Sequence, residues 1–115
     1  MYTIDNKTYP CCTSVTMKFI GGKWKAVILY HLIEGTKRYN EIRKDIPTIT
    51  ERTLSLQLKQ LEEDGIISRK VFTAKPPLVV EYSLTDFGKT LLPVLNEITK
   101  WGEDAISISK KIARN

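Results

Sequence analysis

The sequence predicts a mainly α fold completed by a small β-hairpin, an α+β arrangement, and three observations carry that prediction. Between Thr48 and Asp64, Leu54, Leu58 and Leu61 recur at the four-and-three spacing that gathers them on one side of a helix. From Ile66 to Thr73 and again from Val79 to Leu84 the pattern changes to alternation with β-branched and aromatic residues. Pro76-Pro77, unable to donate to a ladder, falls in the loop between them. Toward the C-terminus Leu91, Leu95, Ile98, Trp101, Ala105, Ile108 and Ile112 repeat at alternating four and three, a long helical seam. A helix followed at once by a basic two-stranded ribbon is the arrangement of a winged helix-turn-helix.

Composition narrows the field. At 115 residues the chain makes one domain, 1–115, large enough to bury a core without metal or disulfide staples. Its 42% hydrophobic and 27% charged content is that of an ordinary soluble domain, and the net charge of +5 fits a polyanionic partner without establishing one. Met1 to Pro10 is polar and lacks a secretory core, and the longest apolar run, Ala26 to Tyr30, is too short to cross a bilayer, so a cytoplasmic protein without membrane contact is expected. Two adjacent cysteines and a single histidine give no zinc spacing, and no cofactor fingerprint is present. No nucleophile with its base, no paired carboxylates and no phosphate loop points to an enzyme.

In chain order, Thr13 to Ile20 is a short helix stopped by Gly21-Gly22. A second helix runs from Lys23 or Trp24 to Glu34, with Trp24, Val27, Ile28, His31 and Leu32 on one face and little polar surface opposite, so it reads as the buried centre. Tyr39 to Lys44 is a third, ended by Pro47. For the fourth, Thr48 with Glu51 matches a capping box and Thr50 competes as the cap. These last two span the helix-turn-helix, about 39–64, and the wing follows at about 66–84. A final helix, about 86–113, starts at the cap Thr85 and is expected to kink at Pro93. Its apolar stripe outlasts the domain it would cover, which asks for a second copy, although folding back over its own core is the simpler alternative.

The outward side of the fourth helix carries the functional chemistry. Arg52 and Thr53 lie near its start, where a helix in the major groove meets base edges; Leu56 shares that strip, and Lys59 is placed for phosphate. Thr50 at the helix start belongs to the same set. Arg38 and Arg43, on the helix that crosses the backbone, and Lys75 in the wing loop complete the candidate DNA contacts, with Arg69 and Lys70 on opposite sides of their strand. An ordinary solvated face remains the competing reading, since Glu62, Glu63 and Asp64 repel DNA. Trp24, Tyr39 and Trp101 read as core rather than a ligand cage, and His31 as a core histidine. Cys11 and Cys12 lie at the start of the first helix, where exposed amides favour a thiolate, and adjacent cysteines rarely bond to each other. From the residues alone, a reactive thiol and two small buried side chains both stand.

These residues resemble the HxlR-type winged-helix transcriptional regulators, a branch related to the MarR group. The likeness is carried by Cys11 with Gly21-Gly22-Lys23-Trp24 ten residues on, by Lys37 to Ile42, by Leu54 to Ile67, and by Pro76-Pro77, Glu81-Tyr82-Ser83-Leu84-Thr85, Gly88, Pro93 and Trp101-Gly102. It extends from Cys11 to Gly102. The resemblance implies a homodimer joined through its first and last helices, with Val15 and Phe19 facing Leu95, Ile98, Trp101, Ala105, Ile108 and Ile112. It implies binding of a double-stranded DNA operator, repression of neighbouring stress or detoxification genes, and a small-molecule or electrophile inducer sensed in some members at the position of Cys11. One departure is visible: members commonly place proline after that cysteine, where this chain has Cys12. The alternative function is a winged-helix protein-interaction module without specific DNA binding, with Leu56 in its docking patch.

Overall fold

The computed structural model describes every residue except that at position 74, and it is a winged helix-turn-helix. A hairpin of β1 (Tyr2–Ile4) and β2 (Lys7–Tyr9) leads into α1 (Cys12–Ile20), α2 (Lys25–His31), the short strand β3 (Lys37–Arg38), α3 (Tyr39–Asp45) and α4 (Glu51–Glu63). Then come β4 (Ile67–Val71), β5 (Val80–Leu84), α5 (Asp86–Lys89) and α6 (Leu92–Ile108). The N-terminal hairpin is a feature that the polar lead-in does not announce. Asp5 and Asn6 take positive φ of 49° and 65°, a backbone that short polar side chains tolerate and that closes a two-residue turn matched to strand twist.

The core gathers the apolar faces of α2, α3 and α4 over the inner side of the sheet. Leu54, Leu58 and Leu61 of α4 are buried as their spacing requires, together with Ile28, Leu29 and Leu32 around α2 and Ile42 of α3. Truncating any one of these to alanine costs about 2–5 kcal/mol, because neighbours relax only partly into the space. The cap of α4 is Thr50, whose Oγ1 accepts the Thr53 N–H at 3.2 Å, so the competing Thr48–Glu51 box is not used. Gly65, at φ 74°, turns the chain out of α4 in the left-handed conformation that a Cβ disfavours.

Three elements differ from the sequence expectation, each for a physical reason. α2 ends at His31, three residues early, and its Val27 and Tyr30 are exposed while Leu29 is buried, so the buried face is rotated from the one the spacing predicts, as the helix packs against α1, α3 and α6. Lys37 and Arg38 precede α3 as a strand because β5 offers them its free edge: the sheet order is β3-β5-β4, with Lys37 opposite Tyr82 and Ile67 opposite Leu84. Pro93 does not kink a continuous helix. It lies in the first turn of α6, where the missing N–H is no loss, and α5 before it is a separate single turn.

The junction between wing and C-terminal helices is tightly bonded. Thr85 Oγ1 accepts the Gly88 N–H at 3.0 Å and donates to the Gly65 carbonyl at 2.6 Å, while the Thr85 N–H donates to the Ile66 carbonyl at 3.1 Å. Gly88 is packed so closely that a Cβ there would stand 2.1 Å from the Ile66 carbonyl oxygen. α6 ends at Ile108, short of the expected 113, which leaves Ile112 beyond the helix.

Candidate nucleic-acid interface and thiol site

α3 and α4 are fixed to one another at the turn between them. The Tyr39 hydroxyl donates to the Glu51 carbonyl at 3.2 Å, and Arg43 pairs with Glu51 at 3.0 Å. That pairing ties one expected phosphate contact, Arg43, across the turn. Thr50 Oγ1 also donates to Thr53 Oγ1 at 2.9 Å, so both threonine hydroxyls are engaged in holding the start of α4. Arg52 and Lys59 stand exposed on the side away from the core, outside the ion pairs of the described residues, with Leu56 half-exposed between them. At the far end Asp64 is taken up by Lys18 of α1 at 2.5 Å, which raises the lysine pKa through that hydrogen bond. The bridge removes one of the acidic charges that would oppose a phosphate backbone.

In the wing, Arg69, Lys70 and Lys75 are all exposed. β4 does not alternate between buried and exposed: only Ile67 is buried, because the ribbon leaves the domain beyond it. Arg38 lies in β3 opposite Glu81, on the sheet rather than on α3. Its N–H donates to Glu41 Oε1 at 2.9 Å and so starts α3.

His31 is half-exposed rather than core, with Nδ1 3.8 Å from Asp45 Oδ2. Lys37 also pairs with that carboxylate, and this hydrogen bond holds Asp45 below the usual carboxylate range. The return of α3 against α2 thus sets a carboxylate beside the histidine.

The thiols sit where expected. Cys11 is the residue before the first turn of α1 and Cys12 its first residue, and both are free and exposed. The Ser14 backbone N–H, followed by the Ser14 hydroxyl, lowers the Cys11 pKa. That hydroxyl lies 3.7 Å from Sγ and accepts the Cys11 N–H at 3.1 Å. Ser14 escapes notice in the sequence, because the usual capping box has serine or threonine at the cap and glutamate or glutamine three residues on, whereas here cysteine is the cap and serine takes the third position. Cys12 differs: its Sγ lies 3.6 Å from the Tyr2 hydroxyl of β1, against which the thiol donates.

Along α6 the seam divides. Leu95 is fully buried in the chain's own core, whereas Ile98 and Ile108 are exposed and Trp101 is 72% exposed, so Trp101 is not core. Ala105 is half-buried between these exposed residues. Val15 and Phe19 of α1 are half-buried, and Phe19 stacks edge-on with Phe87 of α5 at 5.6 Å.

The description "HxlR-like helix-turn-helix" matches residues 19–110. The chain belongs to the HxlR-like helix-turn-helix family. It is accordingly a DNA-binding transcriptional regulator and not an enzyme. The HTH-type transcriptional regulator YdeP of Bacillus subtilis is 56% identical over 93 residues, 81% of this chain and 72% of that one. The redox regulator HypR in its oxidized form is 50% identical with a TM-score of 0.77, over 82% of this chain and 96% of HypR. Its reduced form is 46% identical with a TM-score of 0.80, over 87% and 98%. Among the described residues of this HxlR-like regulator, no helix is long and apolar enough to cross a membrane.

Proposed function

We propose that this regulator is a homodimeric repressor of neighbouring stress or detoxification genes, switched by an electrophile or oxidant at Cys11. The observation that carries the reading is the exposed Cys11 thiol, held toward its thiolate by Ser14 at the start of α1, in a chain similar to a redox regulator. Trp101 and Ile98 on the open side of α6, with Val15 on α1, supply an apolar surface for a second copy. Two copies related by a two-fold axis set one α4 per half-site, with centres about 34 Å apart on B-DNA. Arg52, Leu56 and Lys59 then face base edges and phosphate, and Lys75 and Arg38 the backbone, while Arg43 stays paired with Glu51. Modification of Cys11 changes the α1 packing and with it that spacing.

The test is a gel-shift titration on the DNA upstream of the chain's own gene, before and after diamide and again after reduction. Binding lost on oxidation, recovered on reduction and insensitive to oxidant in Cys11→Ser is the expected result. Binding that ignores oxidant moves the signal to a small ligand. The half-exposed Leu56 favours one second reading, docking to a protein. Salt separates the two: phosphate contacts weaken steeply as salt rises, and an apolar patch does not.

A further inference from the structure

We propose that the tip of the wing is an apolar wedge, with Phe72 at its point, that enters the operator's minor groove and bends the duplex. The inference rests on operator binding by α4 and adds to it a contact of a different chemical kind. Three large apolar side chains stand out at this end of the ribbon: Val71 is 43% exposed, Phe72 52% and Leu78 54%. None of them covers a core, since β4 is buried only at Ile67.

The charge around them selects the occupant. The ribbon carries Arg69, Lys70 and Lys75 against a single carboxylate, Glu81, which lies in β5 opposite Lys70, and from Gly65 to Val80, the stretch that holds the tip, there is no acidic residue. A partner must therefore carry negative charge to meet that positive rim while offering apolar surface between, which describes the phosphate rims and sugar-lined walls of a minor groove, with stacked base steps at its floor. With α4 in the major groove, the ribbon beside it meets the adjacent minor groove. An apolar side chain pressed against a base step there partly unstacks it and bends the duplex by roughly 20–90°.

The tip is also built to hold a fixed shape. The Phe72 N–H donates to the Val79 carbonyl at 2.9 Å, extending the ladder past β4. Thr73 Oγ1 accepts the Val79 N–H at 3.0 Å and donates to the Pro77 carbonyl at 3.2 Å, closing the loop from within. Lys70, two residues before Phe72 and on the same face, holds its ammonium 4.9 Å from the ring centroid. In the free protein that cation covers the aromatic face. On DNA it has a phosphate to turn to, and the ring is released for the groove.

The experiment measures affinity and bending together, by circular-permutation gel shift on the operator, for the full-length parent and for Phe72→Ala, Phe72→Leu, Lys75→Ala and Arg52→Ala. Phe72→Ala is expected to bind roughly tenfold more weakly with a smaller bend and an unchanged salt slope, because no charge is lost. Phe72→Leu, still apolar, keeps most of the bend. Lys75→Ala instead lowers the salt slope by about one. Bend and affinity unchanged in Phe72→Ala, while Arg52→Ala weakens binding, overturns the wedge and leaves operator binding by α4 intact, the result expected if the tip docks a protein. A fall in affinity that comes with a lower melting temperature and an unaltered bend also overturns it. Failure of the parent protein to shift the operator overturns both readings.

Discussion

Replacing Gly88 by alanine is expected to destabilise the domain by about 2–4 kcal/mol, although alanine is the better helix former by roughly 1 kcal/mol. The added Cβ would lie 2.1 Å from the Ile66 carbonyl oxygen, 3.1 Å from its carbon and 3.4 Å from Ile66 Cγ2. Two of those atoms are backbone, and Ile66 is itself buried at 1% exposure beside β4, so nothing nearby is a flexible side-chain end. Relief requires a shift of about 1 Å in either α5 or the strand. Moving α5 lengthens the Thr85 N–H bond to Ile66, now 3.1 Å, and pulls Gly88 from its cap on Thr85 Oγ1, now 3.0 Å. Each of those bonds contributes about 1 kcal/mol, and the residual overpacking adds 1–3 kcal/mol. Urea denaturation followed by circular dichroism reads the change directly. Gly102→Ala, inside α6 with no atom within 4 Å of its Cβ, is the matched control and is expected to stabilise the chain by about 0.5–1 kcal/mol. A Gly88→Ala protein as stable as the parent would refute the packing argument, since propensity alone cannot offset a contact of that length.

Trp101→Glu places a charge on the open, apolar side of α6, where Trp101 is largely exposed, and should shift sedimentation from dimer to monomer, with the melting temperature of the isolated domain nearly unchanged. Persistence of the dimer would move the subunit contact elsewhere. Ser14→Ala removes the hydroxyl beside Cys11, the second cause of its lowered pKa after the Ser14 backbone N–H, and is expected to raise the midpoint of the pH–rate profile for iodoacetamide and slow the thiol near neutral pH. An unaltered profile would assign the lowered pKa to the backbone alone. Asp45, lowered by Lys37, stabilises the fold above its unfolded value of about 3.9, and that contribution disappears as pH falls through its folded value. Melting curves of the parent and of Asp45→Asn should therefore differ near neutral pH and converge in acid; a gap that widens in acid has the wrong sign for this pair.

Much of the fold is legible wherever a single periodicity lasts. Leu54, Leu58 and Leu61 point inward because the four-and-three spacing leaves them no alternative, and Pro76-Pro77 marks the end of the ribbon. Strand β3 is not legible, because two residues acquire extended pairing only from the edge of β5, a partner more than forty positions away. Pro93 is visible in the sequence, yet its effect depends on whether a helix begins or continues there, and the close packing of Gly88 decides that. His31 shares an apolar face by spacing, but its neighbour Asp45 arrives from another element. On α4 the outward strip of Arg52, Leu56 and Lys59 follows from the same spacing that buries the leucines. Thr50 and Thr53 are less predictable, because a hydroxyl can satisfy a helix end as well as a base.

The Lys18–Asp64 bridge has a mechanical consequence. Lys18 lies seven residues beyond Cys11 along α1, an arm of about 10 Å, and its ammonium grips the residue that ends α4. A rigid rod thus has a chemically addressable tip and a charged hook at its other end. The hook holds the base of the helix that faces outward with Arg52 and Lys59. Swinging the tip by a few degrees displaces the hook by a fraction of an ångström, and the ion pair must then either carry α4 with it or break. In the proposed switch, Lys18→Met is expected to leave Cys11 reactive and the operator bound while binding no longer responds to oxidant; operator binding still lost on oxidation in that variant would refute the linkage.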